Sequence, residues 1–451
     1  MENSNDRIKL GEKISYFAVN IGNIPIMTLI GSFLLIFYTD VVGLDPAAVG
    51  TMFLITRIVD GINDPFMGYV IDHLPPRKWG RFRPYIALGS IICGLNFLLL
   101  WLGPSIAPTG KLLIAYICYV AIGLTFDIMD IPLNSLIPVM ATKERDRTTL
   151  SIIKSLGYGA GGVLFTLPIV PFIGSFPTMR EGYHLLIIIA VAFVIVLSIL
   201  GTMGVKERVA PASKERYNAK DLAKIFTLIP VIGLSLSSII GSIAGNAVGS
   251  SAIYYFKYVA GDENLMTLFS FLTLVLGGAG IIPAIFLVKR MGHKEVWMTG
   301  MIMSLVPSVL ALFIPRNQPL LLLLIVGIGR LGGGFAGIVN YALQADLMDY
   351  VEWKQGHRTE GAIAAIFSFI SKAGGGIGGA IPGYVLAATG YVPLLQPQQP
   401  MAISGMVFLF LWLPVIASAL SLLCMRFMYP ITGNLSKEMQ SDLENRRNKG
   451  D

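Results

Sequence analysis

Arg57, Asp60, Asn63 and Asp64 are the residues of this chain best placed to handle a charged ligand. They fall within Arg57-Ile-Val-Asp60-Gly-Ile-Asn63-Asp64-Pro65, a segment that otherwise reads as a helix crossing a bilayer. One helical turn separates Asp60 from Asp64, so both carboxylates point to one face, with Cβ atoms about 5–6 Å apart. Asn63 joins that face and offers its carbonyl oxygen as a further ligand. A single charged side chain at mid-bilayer costs about 2.5–3.5 kcal/mol even on lenient insertion scales. Arg57 pairs with one carboxylate and leaves the other for a proton or a metal cation; an ion-pair cluster that only staples helices is the alternative.

Other ionisable and amide groups sit inside apolar stretches. Asp127-Ile-Met-Asp130-Ile-Pro132-Leu-Asn134 places two carboxylates at i, i+3 on one helix face. Lys154, Arg330, Asn340 and Lys372 fall within further spans. Asp60, Asp64, Asp127 and Asp130 thus stand against Arg57, Lys154, Arg330 and Lys372, close to charge balance, as expected of groups facing a water-filled cavity and pairing there. For Lys154 a headgroup anchor near the start of its span is the competing reading. His73, His184, His293 and His357 lie at span ends or in loops and read as solvated or interfacial.

The elements that must position these groups are long apolar helices. Of 451 residues, 54% are hydrophobic and only 14% charged, against about 25% charged in a soluble domain. Runs long enough to cross about 30 Å of hydrocarbon recur near 14–39, 46–72, 82–102, 112–141, 150–174, 182–204, 226–258, 265–288, 295–315, 319–349, 361–388 and 402–428. This predicts an all-α integral membrane protein with about twelve transmembrane helices. The polar start, Met1 to Arg7, lacks the apolar core of a removable signal peptide. Cys93, Cys118 and Cys424 fall in apolar stretches and read as small buried hydrophobes. The net charge of +7 belongs to loops and does not signal nucleic-acid binding. Lys and Arg concentrate in the even-numbered loops and the tail, which by the positive-inside rule puts both termini in the cytoplasm.

The spans divide into two halves: 1–204 with six helices, a polar linker at 205–223, a second six-helix half at 224–428, and a cytoplasmic tail at 429–451. Short basic glycine-containing loops follow the second helix of each half, Gly80-Arg81-Phe82-Arg83 in one and Lys289-Arg290-Met-Gly292-His293-Lys294 in the other. Such a duplication suggests the major facilitator architecture, with a substrate site near the midplane. Gly374-Gly-Gly-Ile-Gly-Gly379 reads as a site of close helix packing. Nothing resembles a phosphate loop, a zinc cluster or a nucleophile triad, so the chain is not read as an enzyme. Aspartates clustered for phosphoryl transfer would need further carboxylates along the second span, and these are missing.

Several motifs resemble the glycoside–pentoside–hexuronide:cation symporters, the branch of the major facilitator superfamily with the melibiose and glucuronide carriers. They are Tyr38-Thr39-Asp40-Val-Val-Gly43, Arg57-x-x-Asp60-x-x-Asn63-Asp64-Pro65, Trp79-Gly80-Arg81-Phe82-Arg83-Pro84, Met129-Asp130-Ile-Pro132 and Ala345-Asp346-Leu-Met-Asp349-Tyr350-Val-Glu352. The resemblance implies secondary active symport of a sugar, glycoside or uronide, with a proton or sodium ion as the coupling ion and no other cofactor. The cation site would be Asp60, Asn63 and Asp64 (with sodium, Asp60 and Asp64 as metal ligands), joined by Asp127 where the family has a threonine. Asp130, Lys154 and Lys372 would meet the sugar, with Asn134, Arg330 and Asn340 lining the site. Arg57, Asp346, Glu352 and Arg358 are gating candidates; for the last three, solvated loop ends are the other reading. The family's acidic sugar ligand in span 1 falls at Ile24 by counting, and its stacking tryptophan at Asn134. These departures, with Arg330 present, tilt the expectation towards an acidic sugar, since arginine suits planar anions. A lysolipid or other amphiphile carried with a cation on the same fold is the alternative. A bacterial-type inner membrane and a monomer as the working unit complete the expectation.

Overall fold

A computed structural model of the protein describes residues 8–72, 79–141, 144–208, 227–355, 360–433, 435–436, 438–439 and 441–443. In chain order the helices are α1 (Leu10–Ile36), α2 (Pro46–Asp72), α3 (Arg83–Ile106), α4 (Lys111–Asn134), α5 (Leu136–Met140), α6 (Glu144–Thr166), α7 (Ile169–Gly174) and α8 (Met179–Gly204). Then come α9 (Ile229–Tyr254), α10 (Leu265–Met291), α11 (His293–Ala311), α12 (Pro319–Gln355), α13 (Glu360–Ala388), α14 (Pro400–Val407) and α15 (Leu413–Met428). With α4–α5, α6–α7 and α14–α15 each taken as one broken rod, the described residues form twelve long segments. Ten are long and apolar enough to cross a membrane. The other two are α2, which carries Arg57, Asp60 and Asp64, and α11, which is only 19 residues long and opens with His293-Lys294-Glu295.

The distribution of side chains is that of a bundle dissolved in lipid. On α3, Leu88, Ile91, Ile92, Leu95 and Leu99 are all exposed and follow a helical repeat down one face. Asn20, Asn23, Asp60, Asn63 and Asp127, by contrast, are buried. Apolar groups outside and polar groups inside are stable only where hydrocarbon replaces water.

The chain packs as two compact units, residues 1–213 with 386–395, and residues 214–385 with 396–451. The expected linker falls largely on 209–226, outside the described residues. In the first unit α1 packs against α6 and α8, and α4 packs against α2 and α3. The segment 386–395, although it follows α13, groups with this unit, where the hydroxyl of Tyr391 donates to the buried Asp40. In the second unit α12 packs against α10 and α11, and α9 against α15. Its core gathers Trp297, Phe335, Phe367 and Tyr429. The expectation of close packing around Gly374–Gly379 holds. A Cβ on Gly378 would stand 2.4 Å from the carbonyl oxygen of Ile243 on α9, so only glycine allows that crossing.

Two local devices recur once in each unit. The first helix of each ends in a π-helical turn closed by a left-handed glycine: Phe37–Val42 with Gly43 (φ 80°), and Tyr255–Ala260 with Gly261 (φ 78°). The second device is the turn after the second helix, where Gly80 and Gly292 take φ values of 103° and 96°, a region that suits glycine. The repeated turns are physical support for an internal duplication.

In the first unit that turn is clamped by Glu207. Its carboxylate accepts the backbone N–H groups of Arg81, Phe82 and Arg83 at 2.6, 2.9 and 3.0 Å, capping the start of α3. Arg83 in turn donates to the carbonyls of Thr202 and Met203 at the end of α8. Charge-assisted bonds of this kind contribute about 1.5–3 kcal/mol when partly buried. Glu207→Ala should therefore lower the thermal midpoint of the purified protein by several degrees, while Glu207→Gln, able to accept only in part, should fall between. An unchanged midpoint for the alanine variant would show that the clamp adds nothing to stability.

Candidate functional site

In the first unit, α2 carries Asp60 and Asp64 of the expected set and α4 carries Asp127 and Asp130. Asn63 on α2 donates through Nδ2 to Asp127 Oδ2 at 2.8 Å. Arg57 reaches Asp60 Oδ2 at 3.1 Å, one turn apart on α2. Asp60 lies against α4 where Gly123 has no side chain: a Cβ there would stand 2.1 Å from Asp60 Oδ1. The missing Cβ lets a buried carboxylate approach the backbone of α4. Asp60, Asn63 and Asp127 are thus brought to one α2–α4 contact, whereas the side chain of Asp64 lies outside the described residues.

Asp130, one turn along α4, belongs to a second cluster. It accepts from Asn23 Nδ2 on α1 at 2.8 Å and from Asn134 Nδ2 at 2.7 Å. Asn134 in turn accepts from Lys154 Nζ on α6, and Lys154 stands 5.6 Å from the centroid of the Tyr158 ring. The network runs from amide to carboxylate to amide to ammonium, so each donor meets an acceptor. Pro132, inside α4, removes one helical N–H shortly before the helix ends at Asn134. Helix α6 starts at Glu144, earlier than the apolar run beginning at 150 suggests. Lys154 is therefore ten residues inside the helix and donates to Asn134, a partner that a free headgroup anchor would not need.

Counting along span 1 to Ile24 passes over the neighbouring residue that contacts the expected site. Ile24 packs on α6, where a Cβ on Gly161 would lie 2.8 Å from its own Cβ. Asn23 is the residue that meets Asp130. The signal was available: Asn20 and Asn23 are amides i, i+3 inside an apolar helix, and both are buried.

In the second unit, Asn340 and Lys372 line a cavity of about 860 Å³ together with Trp297, Gln344 and Ser368. That volume falls in the range of small-molecule sites. Arg330 lines a separate cavity of about 240 Å³.

The gating candidates part company. Asp346 is buried and accepts from His293 Nδ1 at 2.7 Å and from Ser436 Oγ at 3.2 Å. Asp346 and Glu352 both lie on α12, which runs to Gln355 because Leu347 and Val351 continue its buried face; neither is a loop end, and Asp346 is not solvated. His293 is likewise no ordinary solvated residue, since it pairs with a buried acid. Next to it, Lys294 is buried and donates to the carbonyl oxygen of Tyr429, whose hydroxyl donates to Leu343 O at 3.1 Å. Arg358, His73 and His357 lie outside the described residues.

With this geometry established, comparison with known proteins places it. The family described as MFS/sugar transport protein matches residues 15–433, and the chain belongs to that family. A Bacillus subtilis protein described as an uncharacterized symporter is 30% identical over 97% of this chain and 96% of its own. The isoprimeverose transporter of Lactiplantibacillus pentosus is 30% identical over 96% and 91%, and a glucuronide carrier protein homolog of Escherichia coli 28% over 97% and 94%. Among solved structures, the nucleoside transporter NupG superposes with a TM-score of 0.64 at 13% identity, covering 93% of this chain and 99% of that one. A bacterial homolog of the lysosomal transporter Spinster gives 0.63 at 16%, over 93% and 96%. The fold is the all-helical major facilitator fold. The chain is a multi-pass membrane transporter for sugars, of the symporter branch that its motifs resemble, and no enzyme.

The His293–Asp346 pair sets a pH dependence. His293 precedes the apolar stretch of α11, and its hydrogen bond to Asp346 raises its pKa above the usual 6.5, with burial opposing. A folded-state pKa above the unfolded one stabilises the fold fully below the unfolded value, and that increment is lost as pH rises through the folded value. The thermal midpoint should therefore be higher at about pH 6 than at about pH 9, and His293→Gln should flatten this slope. An equal slope in the variant would remove His293 from the account.

Proposed function

We propose that the chain is a secondary active symporter that moves a sugar, glycoside or uronide, together with one cation, H⁺ or Na⁺, by alternating access. The observation that carries this reading is the placement of Asp127 and Asp130 on one face of α4. Asp127 is bonded to Asn63 beside Asp60, and Asp130 to Asn23 and Asn134. An ion and a sugar meeting neighbouring turns of one helix would each bias its position, which is what coupling between two ligands requires.

The steps follow from the charges. In the ion site Arg57 neutralises Asp60 and holds the place of the cation. An arriving proton or sodium ion displaces the guanidinium and is met by Asp60, Asp64, Asp127 and the carbonyl oxygen of Asn63, whose amide nitrogen already serves Asp127. Partial neutralisation of α4 then frees Asp130 to accept sugar hydroxyls, with Asn23, Asn134 and Lys154 around it and Asn340 and Lys372 lining the cavity of the second unit. Asp346, Glu352 and Arg358, on or after α12, act as gate. The basic loops support cytoplasmic termini. The isoprimeverose and glucuronide names of the relatives support a sugar as the transported class. The amphiphile alternative has less support, because a greasy substrate has no use for the Asn23–Asp130–Asn134–Lys154 network.

Two variants test the reading in proteoliposomes. Asp60→Asn removes a charge that the driving ion must meet, so accumulation of sugar against its gradient should be abolished while equilibrium exchange survives. If the variant concentrates sugar as well as the parent, the ion site is elsewhere. Asn23→Ala removes the donor that aims Asp130 but leaves the acid in place. Losing a hydrogen bond to a charged group costs about 1.5–3 kcal/mol, so sugar affinity should fall roughly ten- to a hundred-fold with expression intact. An unchanged Kd would show that Asn23 serves helix packing alone.

A further inference from the structure

Arg330 is the one intramembrane cation of the expected set that the site described above does not absorb. It lies in the interior of α12, eleven residues past Pro319. Its guanidinium carbon stands 5.0 Å from the centroid of the Phe269 ring. Among the described residues it contacts no carboxylate, and its buried Nε has no hydrogen-bond partner. Lys154, by contrast, is tied to Asn134, and Arg57 to Asp60. A guanidinium stays charged even when buried, so a counter-anion is the remaining way to match it in a bilayer.

The cavity that Arg330 lines has room for one. Its volume is about 240 Å³, and its walls include Gly241, Gly245, Val248 and Phe410. Three of its serines are already committed as donors: Ser304 to Gly329 O, Ser308 to Ser304 O and Ser421 to Ser237 O. The guanidinium is therefore the strong donor of an otherwise largely apolar chamber. One positive charge and few other donors suit a singly charged, weakly hydrated acceptor, and disfavour a dianion whose second charge would stay unmatched. Gly241, Met301 and Ser421 line both this cavity and the larger one that holds Asn340 and Lys372.

We propose that Arg330 forms a monovalent-anion site, filled either by the carboxylate of an acidic sugar or by a small free anion such as chloride. The first source rests on the symport reading above; the second does not. The experiment uses the full-length protein in nanodiscs, as wild type, Arg330→Gln and Arg330→Lys, at constant ionic strength. One arm follows the thermal midpoint while chloride or acetate replaces sulfate. The other measures binding of methyl β-glucuronide and the neutral methyl β-glucoside. A free anion should raise the wild-type midpoint by a few degrees and leave Arg330→Gln unmoved, with both sugars affected alike. A substrate carboxylate should instead show as a loss of more than about ten-fold for the glucuronide alone in Arg330→Gln, partly restored in Arg330→Lys, with chloride competing in the wild type. If neither sugar binds, the symport reading for these sugars fails and the anion arm still decides the site. Should the variants fail to fold, the wild-type responses to chloride and acetate decide. A midpoint indifferent to the anion, together with no chloride competition and no charge-dependent loss, overturns the proposal.

Discussion

Charge placed inside a helix bundle in a bilayer must be matched, and the first unit is arranged around how α4 does this. Asp127 and Asp130 cannot both be left bare in hydrocarbon. Asn63 covers one, and Asn23 and Asn134 cover the other. Those bonds tie α2 and α1 to neighbouring turns of one short stretch of α4. Gly123 completes the arrangement, since any side chain there would push Asp60 away from the helix. Neutral amides hold both acids in place without cancelling their charge. An amide network therefore satisfies the acids' lone pairs and leaves their charge in place, where a lysine or arginine at Asn63 or Asn23 would have cancelled it.

The duplicated turns show the same constraint solved with different chemistry. In the first unit the turn at Gly80 is held by Glu207, a carboxylate accepting three backbone donors at the start of α3. In the second, the turn at Gly292 is held through His293 to Asp346 and through Lys294 to Tyr429 O. A Cβ on Gly292 would stand 2.8 Å from the Cα of Gly433, so the segment after α15 is pressed onto this turn. Glu207 holds its turn through backbone donors, whereas His293 holds the other with an imidazole whose charge changes with pH. The two units thus share a geometry and differ in what can loosen it.

Much of this was legible in the sequence because the bilayer makes polar residues conspicuous. Asp60, Asn63, Asp127, Asp130 and Lys154 stand out from apolar surroundings, and the fold brings them together in two neighbouring clusters. What was not legible depended on one-residue shifts and on helix ends. Counting from Tyr38-Thr39-Asp40 selects Ile24, whereas the span-1 side chain that meets Asp130 is the neighbouring Asn23, and a count along the sequence does not show which way a side chain faces. Helix α12 outlasts its apolar stretch because Leu347 and Val351 bury a stripe, while Glu352 is half-buried and Lys354 is exposed at its end. Hydropathy averages over both faces and ends the helix early. His293 was missed for a related reason: a loop histidine carries no sign of a partner 53 residues away.

The contacts around α2 also differ in what a helix movement would do to them. Asp60 is paired with Arg57 one turn away on its own helix, whereas Asp127 on α4 is met by the Asn63 amide of α2. A pair within one helix travels with that helix as a unit. A bond between two helices breaks when they slide apart. The Asn63–Asp127 bond is therefore the contact that fixes the position of α2 against α4, and the Arg57–Asp60 pair is the one that leaves α2 free to move without stranding a buried charge.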